Sequence, residues 1–267
     1  MKKFPVALQV YSVRDDMQAD FFGTLKKVKA MGYDGVELWH QFLVSRPLEQ
    51  IRREILELGL SVTQLCPYFN VTGTREELQD SYRLAEEYVR MADALQCPNI
   101  RVFTGNVSGA AATAEQYAQG VEGLRNICAA GGQNFVLETH PGSLMETPEQ
   151  TLRLIRDVGA DNLRVNLQVP MAASDHDPYT CAELLGPYVV HLHAHNWRGS
   201  KEHLTCLGDG DYDFERFLRI LRRHGFDGAV SIEHANHLRG EDPFQVAATE
   251  AVYLRQVFSR LETEEAK

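Results

Sequence analysis

The sequence predicts an α/β fold, a single (β/α)8 TIM barrel, on three observations. Short apolar runs alternate with longer helical patterns from one end of the chain to the other. Eight such runs over 267 residues give about 33 residues per strand–helix unit, the spacing of a closed parallel barrel. The rival, a doubly wound open sheet, is disfavoured because neither GxGxxG nor GxxxxGKS/T follows the first apolar run, which continues into QVYSVRDD. No Pro/Gly/Ser-rich linker divides the chain, so residues 1–267 read as one domain, with the barrel over about 6–260 and a short polar tail, TEEAK, beyond it.

In order along the chain, strands are expected to begin at Val6 (VALQVY), Gly35 (GVEL), Ser61 (SVTQLC), Asn99 (NIRVF), Asn134 (NFVLE), Leu163 (LRVNL), Val189 (VVHLH) and Ala229 (AVSIE). Between them, Thr74 and Glu77 form a capping box, and Leu78, Tyr82, Ala85, Val89 and Ala92 follow at helical spacing. A second box, Thr147 with Gln150 and Pro148 at the first helical position, opens a helix that Gly159 stops. The LGDGDYDF segment reads as a turn into a helix capped by Asp213, since its aspartates would repel a phosphate. A last helix is expected from Pro243 to Arg260. One turn is reused: Gly32-Tyr33-Asp34-Gly35 and Gly225-Phe226-Asp227-Gly228 each close a helix and open a strand.

Composition limits the function classes. With 44% hydrophobic and 24% charged residues, a sizeable core can form and wholesale disorder is excluded. The net charge of −10 argues against a nucleic-acid partner, which needs a concentrated positive surface. Cys66, Cys97, Cys128, Cys181 and Cys206 are odd in number, widely spaced and without CxxC, which points to reduced thiols rather than a disulfide framework or zinc knuckle. The N-terminus fails as a signal peptide and no run approaches the ~20 apolar residues of a membrane span, so a cytoplasmic protein with no membrane partner is expected.

In such a barrel the active site lies at the C-terminal ends of the strands. Strand five ends Leu137-Glu138-Thr139-His140, strand six Asn166-Leu167-Gln168, strand seven His191-Leu192-His193-Ala194-His195 and strand eight Ser231-Ile232-Glu233-His234. Alternation puts Glu138 with His140, and His191 with His193 and His195, on shared faces, so two carboxylates, an amide and at least one imidazole converge on one mouth. Carboxylate oxygen with imidazole nitrogen and no thiolate suits a divalent cation such as Mn, Mg, Co or Zn. Glu138, His193 and Glu233 together need a counter-charge that one such residue alone would not. Tyr11, Trp39, Tyr68 and Trp197 are candidates for an apolar wall against a sugar face or for rim packing. Glu37, at the end of strand two, is a candidate for substrate contact or for a supporting hydrogen bond.

ALQVYSVRDD, MGYDGVEL, LETHPGSLMETPEQ, VVHLHAHNWRG, LGDGDYDF and GFDGAVSIEH together resemble the sugar phosphate isomerase/epimerase family, the xylose isomerase-like or AP endonuclease family 2 barrels, from about Val6 to Phe258. The resemblance implies one divalent metal held by Glu138, His193 and Glu233, with the fourth ligand position falling on Gln168. Here the sequence departs from the family: its Asp-x-x-His reads Gln168-Val169-Pro170-Met171, which removes one ligand charge and one histidine. It also implies that Glu138 and Glu233 move a proton beside a sugar carbonyl through an enediolate. Arg198 is expected to stabilise the developing charge, and His140, His195, Glu37 and Trp39 to contact substrate.

The expected function is therefore a metal-dependent sugar isomerase or epimerase acting on a small sugar or sugar derivative. A 3-keto-glycoside lyase working by β-elimination on the same barrel, and a non-catalytic sugar-binding protein with a decayed metal site, are the alternatives. An abasic-site endonuclease ranks last, because that branch needs more metal ligands and a −10 chain suits duplex DNA poorly. Related barrels often pair, so a homo-oligomer is left open.

Overall fold

A computed structural model describes residues 4–171, 173–233, 238 and 240–265. Eight parallel strands close into a barrel: β1 (Val6–Gln9), β2 (Gly35–Trp39), β3 (Ser61–Cys66), β4 (Asn99–Val102), β5 (Asn134–Glu138), β6 (Leu163–Gln168), β7 (Val189–Ala194) and, after a hairpin of β8 (Asn196–Arg198) and β9 (Ser200–Thr205), β10 (Ala229–Ile232). Closure is made by β1, which pairs with β2 on one side and β10 on the other. Every expected strand start is found. The antiparallel hairpin is an addition, because its polar stretch SKEHLT shows no apolar alternation to mark it as a strand.

The helices begin where their caps are written. Thr74 and Thr147 each accept from the backbone N–H three residues on, and Glu77 and Gln150 return the bond, opening the helices Arg75–Leu95 and Pro148–Val158. Asp213 caps Phe214–Arg223 through the Arg216 N–H. The last helix runs on from Pro243 to Glu265, so residues 263–265 of the expected tail are helical. The repeated turn works through Gly32 at φ +93° and Gly225 at φ +87°, left-handed conformations that an L side chain would strain.

The apolar core lies between the outward face of the strands and the helices, with Leu8, Leu38, Leu65, Ile100, Leu137, Leu167, Leu192 and Ile232 all buried there. The alternate, inward-facing strand positions carry buried polar groups instead: Gln9, Glu37, Gln64, Arg101, Glu138, Asn166, His191, His193 and Ser231. A polar barrel axis of this kind costs stability unless each group finds a partner, which restricts it to the part of the fold that has chemistry to do.

Candidate metal centre

Strand register brings the inward residues to common levels. Glu138 pairs with Asn166, Gln168 with His193, and His193 with Ser231. The ends of β5 and β6 are clamped further, because the Thr139 hydroxyl donates to the Gln168 carbonyl at 2.9 Å and accepts from the Gln168 N–H at 2.8 Å. Glu233 lies one residue past β10, and its carbonyl accepts from the Ser12 hydroxyl at 2.7 Å, which ties it to the turn after β1.

The result is one cluster built from four strand ends. Ligand atoms of Glu138, His193 and Glu233 all lie within 4.8 Å of one another. Nδ1 of His193 faces Gln168 Oε1 at 3.0 Å, Glu233 Oε2 at 3.1 Å and Glu138 Oε2 at 3.9 Å. An imidazole nitrogen carries at most one proton, yet three oxygens, two of them from carboxylates, point at this one. Two carboxylates, an imidazole nitrogen and an amide oxygen gathered in this way fit a divalent cation.

Each carboxylate has its own environment. Burial would push the Glu233 carboxyl up, but the His193 charge and hydrogen bonds from His193 and His195 outweigh it and hold it well below the usual range. For Glu138 burial wins: its carboxyl lies above the usual value although Arg101 and His193 pull it down. His193 is raised well above an ordinary histidine, because Glu233, Glu37 and Glu138 together overcome the effect of burial.

A cavity of about 490 Å³ opens over the cluster, lined among others by Glu138, Glu233, Gln9, Tyr11, Trp39, Tyr68, Arg101, Phe103 and His140. Tyr11 meets Trp39 edge-on at 5.0 Å, the Trp39 indole N–H donates to the Tyr68 hydroxyl at 2.8 Å, and Tyr68 stacks on Phe103 at 5.8 Å. These rings form an apolar stretch of the cavity wall, the kind of surface that takes the C–H face of a sugar.

Of the expected site residues, Glu138, Gln168, His193 and Glu233 are brought together, and His140 and Trp39 line the cavity. Three others stand elsewhere. Arg198 sits at the end of β8, exposed, with its guanidinium donating to the Asp209 carbonyl from Nε at 3.0 Å, and it does not line the cavity. Glu37 is fully buried and does not line the cavity; of its two expected readings the structure shows the supporting hydrogen bond, to His191 and His193 at 2.9 and 3.0 Å. His195 places its Nε2 3.3 Å from Glu233 Oε2, beside the cluster rather than on the cavity wall. Trp197 packs on Tyr212, and His234 lies outside the described residues.

Arg101 is the residue that the sequence reading passed over. From the end of β4 its Nη1 donates to Glu138 Oε2 at 3.3 Å and its Nη2 to the Pro67 carbonyl at 3.4 Å. The guanidinium carbon lies 4.5 Å from the Phe103 ring centre and 4.9 Å from that of Tyr68. Its Nε has no hydrogen-bond partner among the described residues, on a side chain that lines the cavity. The signal was present in NIRVF, since an arginine at an inward position of a buried strand needs a counter-charge inside the barrel.

Comparison with known proteins agrees with the barrel fold. The family model described as xylose isomerase-like TIM barrel matches residues 25–257. A 3-dehydroshikimate dehydratase of Bacillus anthracis is 27% identical over 175 residues, which is 62% of this chain and 62% of that protein, so the match spans less than two thirds of the relative's length. Among solved structures, a probable 3-DHS dehydratase of Bacillus anthracis superposes with a TM-score of 0.81 at 22% identity, covering 94% of this chain and 99% of the other. An L-ribulose 3-epimerase superposes with a TM-score of 0.78 at 15% identity, covering 99% and 98%. At these identities the structural likeness carries the fold.

Proposed function

Because this chain belongs to the xylose isomerase-like TIM barrel family, we propose that it is a metal-dependent isomerase or epimerase that moves a proton beside the carbonyl of a small sugar or sugar derivative. The observation that carries the reading is the convergence of Glu138, Gln168 and Glu233 on one nitrogen of His193 at the floor of the cavity. These four side chains would hold the cation. Once bound, a divalent cation acts as a Lewis acid on the substrate carbonyl and acidifies the adjacent C–H.

The chain's own residues supply the rest. Glu138 and Glu233 both reach the cavity, so one removes the proton and the other returns it. Arg101 steadies Glu138, and its charge, on a side chain that lines the cavity, offsets the negative charge that builds on the substrate oxygen, the task first expected of Arg198. His193 and His195 hold Glu233. Tyr11, Trp39, Tyr68 and Phe103 bound the cavity and keep water from the carbanion.

A second reading, dehydration or another β-elimination, is favoured by the similarity to the 3-dehydroshikimate dehydratase. It begins with the same proton abstraction and ends with loss of a β-oxygen substituent instead of proton return.

Incubating the metal-loaded chain in D2O with a panel of keto- and aldo-sugars tests the two readings. Deuterium at the carbon beside the carbonyl of recovered sugar, lost on chelation, supports the isomerase. Release of water or an aglycone from a hydroxy-ketone, without an isomeric sugar, supports the elimination. Full activity in the chelated protein sinks both.

A further inference from the structure

We infer that Glu37 is a positioning residue for the metal, fixing His193 so that its proton sits on Nε2 and its Nδ1 lone pair faces the Glu138–Gln168–Glu233 side. This rests on the metal-dependent reading above. The geometry behind it is fully buried, since neither Glu37 nor His193 is exposed or lines the cavity.

Nε2 of His193 has two neighbours at 3.0 Å, the Glu37 carboxylate and the Asn166 side-chain amide. They ask for opposite tautomers. If the amide donates to Nε2, the ring proton moves to Nδ1 and blocks the His193 nitrogen that faces the cluster. If Nε2 donates to Glu37, Nδ1 is left with a free lone pair. An ionised carboxylate is the stronger partner, since charge-assisted hydrogen bonds are roughly twice as strong as neutral ones, so Glu37 decides the tautomer. The same bond holds the ring against a half-turn that would present carbon in place of Nδ1.

Glu37 is itself immobile. Its Oε1 accepts from His191 Nε2 at 2.9 Å and its Oε2 from Gln64 at 2.9 Å, and it is fully buried. Three N–H donors, from His191, His193 and Gln64, converge on its two oxygens, so the carboxylate acts here as the acceptor the argument needs. His191 thereby gains a function too: it occupies Oε1 and leaves Oε2 turned toward His193. A carboxylate that never meets the cavity, carried by a strand across the barrel from the ligand it orients, has no other evident use in the site.

The test combines metal titration with a spectrum of the unmodified chain. Calorimetric titration of the metal-free protein with Co2+ is expected to show Glu37→Gln binding about 10- to 100-fold more weakly than wild type, with altered visible Co2+ bands, while circular dichroism shows the variant folded. A residue serving only the core would lower the melting temperature and leave the affinity and the bands alone, so a folded Glu37→Gln that binds Co2+ within twofold of wild type overturns the inference. Should Glu37→Gln not fold, a long-range 1H–15N spectrum of the wild-type chain loaded with Zn2+ decides. A proton on Nε2 of His193 supports the assignment, and a proton on Nδ1 overturns it. A wild-type chain that takes up neither ion refutes the metal-dependent function itself, and this inference with it.

Discussion

Gln168 Oε1 lies 3.0 Å from Nδ1 of His193, so the amide occupies a place in the cluster where a third acid would give the cation one more negative charge. The side chain reaches the site and brings an oxygen without a charge. Gln168→Glu keeps that reach and adds the charge, and we expect it to tighten divalent-metal binding by at least about tenfold, since a full charge acts at short range in a site of low effective dielectric. In the metal-free protein the same change crowds a third carboxylate into the cluster and should lower the urea midpoint. Calorimetry and equilibrium unfolding check the two halves. A variant with unchanged metal affinity would argue that Gln168 is a neighbour of the cation and not a ligand.

Glu138→Gln and Glu233→Gln should each reduce proton exchange by roughly 10²- to 10⁴-fold, the usual contribution of a positioned acid or base. Both also weaken the metal, so exchange is to be measured at saturating metal, with bound metal quantified in parallel. Loss of exchange that tracks metal content alone would remove Glu138 and Glu233 from the proton-transfer step.

Arg101 and Glu138 form an ion pair in which both side chains are almost fully buried. Removing the cation leaves Glu138 as an uncompensated charge in the barrel, at a cost of about 3–5 kcal/mol, so Arg101→Met should lower unfolding free energy by that order. The double variant Arg101→Met with Glu138→Gln should recover much of the loss, because neither charge then remains. Failure of the second change to restore stability would show that the arginine acts mainly by packing between Tyr68 and Phe103.

Chelation should abolish activity and lower the melting temperature, and readdition of Mn, Mg, Co or Zn should restore both to different degrees. A cation that binds only the folded chain would raise the midpoint with metal concentration, by about 2.7 kcal/mol of added stability at a hundredfold excess over Kd. Differential scanning calorimetry across a metal series measures this directly. A midpoint indifferent to every divalent cation contradicts the fit of the cluster to a metal.

Strand starts, the Thr74, Thr147 and Asp213 caps and the shared inward face of Glu138, His193 and Glu233 were all legible in the sequence. They depend on periods of two and 3.6 and on hydrogen bonds between residues three apart, and such signals are complete within a short stretch of chain. The contact between Arg101 and Glu138 was not legible. Arg198 stands only a few residues from His193, but the β8–β9 hairpin turns it outward, while Arg101 enters from a strand that sequence distance did not recommend. Glu37 was legible as a polar strand end and no further, because its partners His191 and His193 lie 154 and 156 residues away. Only barrel closure, with β1 pairing to both β2 and β10, gives those three side chains a common interior. Local chemistry thus set which residues face the axis. Tertiary closure set which of them touch, since a contact across a barrel depends on strand register and shear that no local pattern encodes.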